Sequence, residues 1–182
     1  VPGAAVYLEK AANSARKTAY DLIAVEKGAL LINMDAQAPN RVFQEWAAQV
    51  HFLPDLTSIQ PEYHYGESRL DFALTTEAGL HLVEVKGVTL EENGVVRFPD
   101  APTERGVKHI HELQRAVREG LGATLFFVIQ MHGVDRFSPN DATHPAFGAA
   151  REAAAWGVQV YAYDCLVTPD SLTIHQPVPV VL

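Results

Sequence analysis

The stretch Ser68-Arg69-Leu70-Asp71-Phe72-Ala73-Leu74-Thr75, followed after a turn by Leu80-His81-Leu82-Val83-Glu84-Val85-Lys86, decides the fold. Leu70, Phe72 and Leu74 alternate with Arg69, Asp71 and Ala73, and His81, Val83 and Val85 alternate with Leu82, Glu84 and Lys86. Both runs therefore carry the period of two that marks a strand. Thr76-Glu77-Ala78-Gly79 supplies the turn. A four-residue turn there predicts the pairs Thr75 with Leu80, Ala73 with Leu82, Asp71 with Glu84 and Arg69 with Lys86. Two acids and two bases then share one face, whereas a three-residue turn would put the acids on opposite faces.

Opposed carboxylates on neighbouring strands sit with Cβ atoms roughly 4.5–5.5 Å apart and repel each other. A hard divalent cation relieves that repulsion, since Mg²⁺ is usually held by one or two carboxylates plus phosphate oxygens and waters. A lysine two residues after the second acid stands on the same face, where it can orient a water. An Asp followed at a distance by Glu-x-Lys is the catalytic pattern of the restriction-endonuclease-like nucleases, and Asp71, Glu84 and Lys86 resemble it. Glu-x-Lys recurs by chance in many chains. Without a metal, the same four charges would form a cross-strand network, and Lys86 would extend its ammonium from the sheet end into water.

The 182 residues, 48% of them apolar, suffice for a sizeable core: one main domain with a smaller attached piece. The single cysteine, Cys165, excludes an internal disulfide and fits a reducing compartment. No run of about 18 apolar residues and no basic-then-apolar leader is visible, so the expectation is a soluble, cytoplasmic protein without membrane contact. A formal charge of −8 argues against a general polyanion-binding surface. Between Glu45 and Glu92 the acids far outnumber Arg69 and Lys86, which suits a metal better than a naked phosphate. Basic character returns where Arg97, Arg105, Lys108, Arg115 and Arg118 outnumber Asp100, Glu104 and Glu112.

Outward from the hairpin, the chain reads as mixed α/β. Short strands are predicted at 6–9, 19–26 and 29–33, then a helix from Pro39-Asn40 to about Gln49 with Val42, Phe43, Trp46 and Ala47 on one stripe. Extended segments at 88–90 and 95–98 flank the turn signal Asn93-Gly94. Thr103 is a plausible N-cap for a helix to about Glu119 closed by Gly120. A buried strand at 123–130, a helix at 145–156 ended by Gly157 and a strand at 158–163 follow. Arg105, Lys108, His109 and Glu112 fall on the side of their helix opposite Val107, Ile110, Leu113 and Val117, a face that is either solvated or turned to phosphate. From Pro39 to Gln130 the order is helix, three strands, helix, strand. This is the order of a restriction-endonuclease-like core, a mixed sheet flanked by helices.

Longer motifs narrow the resemblance. Tyr65-Gly66-Glu67-Ser68-Arg69-Leu70-Asp71-Phe72, Val83-Glu84-Val85-Lys86-Gly87-Val88-Thr89-Leu90 and Phe98-Pro99-Asp100-Ala101-Pro102-Thr103-Glu104-Arg105-Gly106-Val107-Lys108-His109 are similar to the signature of the sugar fermentation stimulation protein A family. So are Phe137-Ser138-Pro139-Asn140 and the closing Pro177-Val178-Pro179-Val180-Val181-Leu182. The resemblance implies DNA binding, a link to regulation of sugar (maltose) utilisation in bacteria, and a β-rich, OB-like N-terminal portion before the nuclease-like domain. It places the OB-like portion at 1–36, shortened at Val1-Pro2-Gly3, and the nuclease-like domain at 37–182. Two departures, the start at Val1-Pro2-Gly3 and, near Ile32-Asn33, Met34 where similar members often carry Thr with a longer spacing to Pro39-Asn40, bear on the N-terminal DNA-binding surface more than on the central site.

The expected site is then Asp71, Glu84 and Lys86 as catalytic residues, with Mg²⁺ or Mn²⁺ held by Asp71, Glu84 and the Val85 carbonyl. Phosphate contacts are expected from Arg69, Arg105, Lys108 and His109, with Glu62 and Gln130 as further candidates; Glu62, before an expected turn, reads equally as surface. Asp100 follows Pro99 but lies after Glu84-x-Lys86, the wrong order. His51, His64, His81, His132, His144 and His175 show no pair at metal-ligand spacing and receive no role. Three functions fit: a DNA-binding protein with a Mg²⁺-dependent nuclease site, a non-catalytic DNA-binding regulator with a vestigial site, and a small-molecule metal hydrolase. The sequence leaves the oligomeric state open, a homodimer included.

Overall fold

Strands β5 (Ser68–Thr76) and β6 (Gly79–Val88) form the predicted hairpin at the centre of the computed structural model, which describes residues 2–12, 17–100, 104–140 and 148–182. The register is the predicted one for Thr75 against Leu80 and Ala73 against Leu82, but the ladder ends at Phe72 against Val83, so the expected pairs Asp71 with Glu84 and Arg69 with Lys86 are not formed, and the turn is tighter than expected. Thr76 pairs with Gly79, leaving only Glu77 and Ala78 in the loop, and Gly79 takes φ +123°, closed to most side chains. Loops of two and four residues about one centre give the same pairs, because only parity decides which face a residue takes. The alternation itself breaks near the far end of β5: Leu70 packs in the cluster of Ile110 and Leu113, whereas Phe72 and Leu74 pack in the cluster of Phe43.

Around this hairpin runs a six-stranded sheet in the order β12-β11-β9-β6-β5-β4. Its other members are β4 (Ser58–Tyr65), β9 (Gly122–Ile129), β11 (Gln159–Val167) and β12 (Leu172–Pro177). β6, β9 and β11 are parallel, and their connections carry α2 (Glu104–Arg118) and α3 (Gly148–Ala155) across one face. α1 (Ala38–Gln49) covers the other, placing Phe43 and Ala47 against Phe126 and Val85. β9, at the centre, is buried on both sides and reads as the continuous apolar run expected of such a strand. β7 (Leu90–Glu92), β8 (Val95–Phe98) and β10 (Arg136–Pro139) make a smaller sheet, with Asn93 and Gly94 both at positive φ in the β7–β8 turn. Before all of this, β1 (Val6–Lys10), β2 (Tyr20–Lys27) and β3 (Leu30–Asn33) form a separate antiparallel sheet.

Three strands were not expected: β4, β10 and β12. β4 contains Pro61 and a left-handed Glu62 (φ +53°), both adverse to a strand, and is tolerated because it lies on the sheet edge. The helix expected at 145–156 is described from Gly148, and Thr103, the expected N-cap, lies outside the described residues. α2 ends as read, on Gly120 at φ +85°, with Leu121 N–H donating to Ala116 O and Gly120 N–H to Val117 O. Among the described residues no helix is long and apolar enough to cross a membrane.

His81 gives the fold an acid-sensitive point. Its ring lies so close over Gly122, its neighbour across the β6–β9 ladder, that a Cβ there would stand 2.1 Å from Nδ1. Burial pushes its pKa down to about 4. An unfolded chain takes up this proton near pH 6.5 and the folded chain refuses it, so stability should fall as pH drops from about 6.5 towards 4, by about 3 kcal/mol. Urea unfolding of wild type at pH 7 and pH 4.5 should show the loss, and His81→Gln should flatten it. An identical loss in that variant would assign the acid sensitivity elsewhere.

Candidate functional site

The β5–β6 ladder stops at Phe72 against Val83, just before the two acids. Beyond that point side chains take the place of ladder hydrogen bonds. The Val85 N–H donates to Asp71 Oδ2 at 2.9 Å, and the Asp71 N–H lies 3.4 Å from Glu84 Oε2. N–H and C=O of one strand residue point to the same side, so the Val85 carbonyl also faces the β5 side, where no β5 residue pairs with it. Two carboxylates and one carbonyl therefore meet where the sheet opens. Their convergence follows from the hairpin register together with its early end.

Both acids are held from the helices. Asn40, in the first turn of α1, donates Nδ2 to Asp71 Oδ1 at 2.9 Å. His109, on α2, sets Nδ1 2.5 Å from Glu84 Oε1, and Lys86 Nζ contacts the same oxygen. Glu84 is 1% exposed, so its charge needs these two partners. Burial alone would raise its pKa, yet the His109 hydrogen bond and the Lys86 charge outweigh it and leave the Glu84 pKa lowered. Asp71 is raised, by burial first and by the Glu84 charge second. Like charges at close range push the two acids apart in pKa.

Other expected site residues lie around this centre in different settings. Arg69 does not reach Lys86, because the ladder has ended. It pairs with His64 on β4, and its half-exposed guanidinium lies 3.5 Å from exposed Glu62. Lys108 is exposed and donates to the Glu67 carbonyl at 3.3 Å, while the Arg105 side chain lies outside the described residues. His109 departs from the expected solvated face of α2: it is 6% exposed and turned inward to the sheet. Gln130 is buried and gives its amide nitrogen to Asn33 O, Asn33 Oδ1 and Asp35 O, tying the β3–α1 connection to the end of β9. Its Oε1 crowds Gly87, where a Cβ would stand 2.4 Å from that oxygen and 2.8 Å from Pro39 Cγ. Gly87, directly after Lys86, is thus required for α1 to approach the site.

A model of the sugar fermentation stimulation protein RE domain matches residues 37–171 of this chain. The chain belongs to the sugar fermentation stimulation protein family. Among relatives of this family, the sugar fermentation stimulation protein homolog of Clostridium beijerinckii is 49% identical over 183 residues, covering 100% of this chain and 81% of its own length. That of Desulfitobacterium hafniense is 51% identical over 173 residues, covering 94% of this chain and 75% of its own. The solved structure of Pyrococcus furiosus SfsA in complex with Ca²⁺ superposes with a TM-score of 0.88 at 27% identity, over 100% of this chain and 80% of that one. The mixed α/β fold is thus shared within the sugar fermentation stimulation family.

The donor set of this family member suits a hard divalent cation. Asp71 and Glu84 supply carboxylate oxygens, Val85 supplies a carbonyl, and no thiolate contributes, since the single cysteine is buried elsewhere. Glu84 Oε2 is not engaged by Lys86 or His109 and lies 3.4 Å from the Asp71 N–H, while the Asp71 oxygens accept from Asn40 and from the Val85 N–H. Asn40 was missed as a site residue. Its signal is the Pro39-Asn40 helix start, which keeps a short amide in the first turn next to the sheet end.

Proposed function

We propose that this chain is a bacterial, cytoplasmic DNA-binding protein with a Mg²⁺- or Mn²⁺-dependent phosphodiesterase site at Asp71, Glu84 and Lys86, linked to control of sugar (maltose) utilisation. The observation that carries this is the meeting of two carboxylates and the Val85 carbonyl where the hairpin ladder opens, with a lysine on the second acid. The related Pyrococcus furiosus protein in complex with Ca²⁺ supports divalent binding. We also divide the chain into an OB-like β portion (1–36) and a nuclease-like domain (37–182), a division supported by the separate β1-β2-β3 sheet.

Asp71, Glu84 and the Val85 carbonyl would hold the ion. When bound, it supplies Lewis-acid polarisation of a phosphate and a more acidic water. The chain's own residues do the rest. Asn40 fixes the Asp71 carboxylate, and His109 fixes that of Glu84. Lys86, pinned to Glu84, stands where its ammonium can orient a water and offset charge on phosphate oxygens. Arg69, Arg105 and Lys108 would hold the DNA backbone, whereas His109 is turned inward to Glu84, Gln130 to the β3–α1 connection, and Glu62 pairs with Arg69.

A second function, a non-catalytic DNA-binding regulator, is favoured by the engagement of Lys86 with Glu84, which leaves its ammonium partly neutralised. Incubating wild type and Lys86→Ala with linear, circular and single-stranded DNA in Mg²⁺, Mn²⁺ or EDTA separates the two. Metal-dependent cleavage by wild type alone is expected. DNA bound yet intact under every metal would transfer the assignment to the regulator, whose affinity would fall steeply with salt and ignore the metal.

A further inference from the structure

Towards the β11–β12 edge of the sheet, away from the central hairpin, three residues distant in sequence meet. Asp164 on β11 is fully buried at 0% exposure. His132, after β9, sets Nδ1 2.7 Å from Asp164 Oδ2, and His175 on β12 sets Nδ1 3.4 Å from Oδ1. The imidazole centroids are 5.1 Å apart and nearly perpendicular. Both rings stay half-exposed, at 47% and 39% for their side chains. We propose that His132, Asp164 and His175 form a metal site for a borderline transition ion such as Zn²⁺.

The backbone is shaped for this contact. β11 pairs Tyr163 with Pro177 but Cys165 with Ile174, so His175 and Gln176 together oppose the single residue Asp164. Such a bulge re-aims side chains. Here it turns His175 to Asp164 and lets the Gln176 N–H donate to Asp164 Oδ1 at 3.1 Å, while Gly133 N–H lies 3.4 Å from Oδ2. One potential ligand atom from each residue lies within 4.8 Å of the others. Bonds of about 2.0–2.1 Å in a tetrahedral site put ligand atoms about 3.4 Å apart, against 2.7 Å for His132 to Oδ2 and 3.4 Å for His175 to Oδ1, so an ion would take the place of the His132–Asp164 hydrogen bond. The half-exposed His132 ring can supply the adjustment.

Ligand chemistry separates this site from the central one. Two imidazoles with one carboxylate select zinc and its neighbours over Mg²⁺ or Ca²⁺, whereas Asp71, Glu84 and the Val85 carbonyl offer oxygen alone. The exposed ring edges leave the remaining coordination positions to water. Because the ligands come from the β9–β10 connection, β11 and β12, a bound ion ties the edge strand β12 to the body of the sheet.

The test is a titration of metal-free wild type, Asp71→Asn, His132→Ala and His175→Ala with Zn²⁺ against a chromophoric chelator, with Co²⁺ absorption as the coordination readout. One ion per chain is expected in wild type and in Asp71→Asn, with binding at least tenfold weaker in either histidine variant. Zn²⁺ should raise Tm in wild type and not in His132→Ala. Three results would each overturn the proposal: no uptake by wild type, equal uptake by the histidine variants, or loss of the ion in Asp71→Asn, which would place it at the central site. Because both histidines partner the buried Asp164, His132→Gln, which keeps a donor towards that carboxylate, serves as a second variant that separates loss of the ion from loss of the fold.

Discussion

Asp71→Asn is expected to lower metal-dependent DNA cleavage by at least about a hundredfold, the scale on which loss of one group stabilising charge at a reacting centre acts, while leaving the folded protein slightly more stable. In the proposed site this carboxylate is the oxygen donor from β5. An amide in its place still accepts from the Val85 N–H, and Asn40 can turn its own amide to match. The stability gain follows from its raised pKa, caused by burial and then by the Glu84 charge. A raised acid disfavours the folded chain above its unfolded pKa, and the penalty fades as pH falls through the folded value. Removing the charge removes the penalty at neutral pH. Cleavage by Asp71→Asn at the wild-type rate would remove this residue from the mechanism, and thermal unfolding in EDTA checks the sign of the stability change.

Glu84→Gln should abolish cleavage to a similar degree with the opposite effect on stability. Glu84 is buried and satisfied by His109 and Lys86, and these outweigh its burial to leave the pKa lowered. The stabilisation is present above the unfolded carboxyl pKa and is lost as pH falls through the folded one. Gln leaves His109 and Lys86 without their anion, a loss of about 1–3 kcal/mol, or roughly 2–4 °C of Tm per kcal/mol at this chain length. Two substitutions on adjacent strands, both inactivating and opposite in their effect on Tm, distinguish a charged active centre from a structural ion-pair network. Equal destabilisation of both variants with unchanged cleavage would point to the network.

The hairpin was legible because strand alternation and an even loop fix its register as far as Phe72 against Val83, but they do not show that Asp71 is held from α1 and Glu84 from α2, on opposite faces of the sheet. Loop length was not legible, and it did not matter. The early end of the ladder could not be read, since it coincides with a gap in the β4–β5 pairing at Glu62 and Asp71, which no local pattern marks. β4 was hidden by Pro61, which is acceptable only on an edge, and which strand is the edge is a property of the whole sheet. His109 was sorted with the charged face of α2 because residue type alone cannot show a buried carboxylate waiting on the neighbouring strand. The histidines of the second cluster escaped notice for a related reason. His132 lies 32 residues from Asp164, and only the parallel β9–β11 pairing and the β12 bulge bring them together.

The proposed divalent site between β5 and β6 is tested most directly by calorimetric titration of Ca²⁺ and Mg²⁺ into metal-free wild type and Asp71→Asn, with His132→Ala as the control for the second cluster. The expected result is one site per chain in wild type and in His132→Ala, lost in Asp71→Asn. Undiminished Ca²⁺ binding by Asp71→Asn would contradict the assignment of the ion to the acids of the central hairpin.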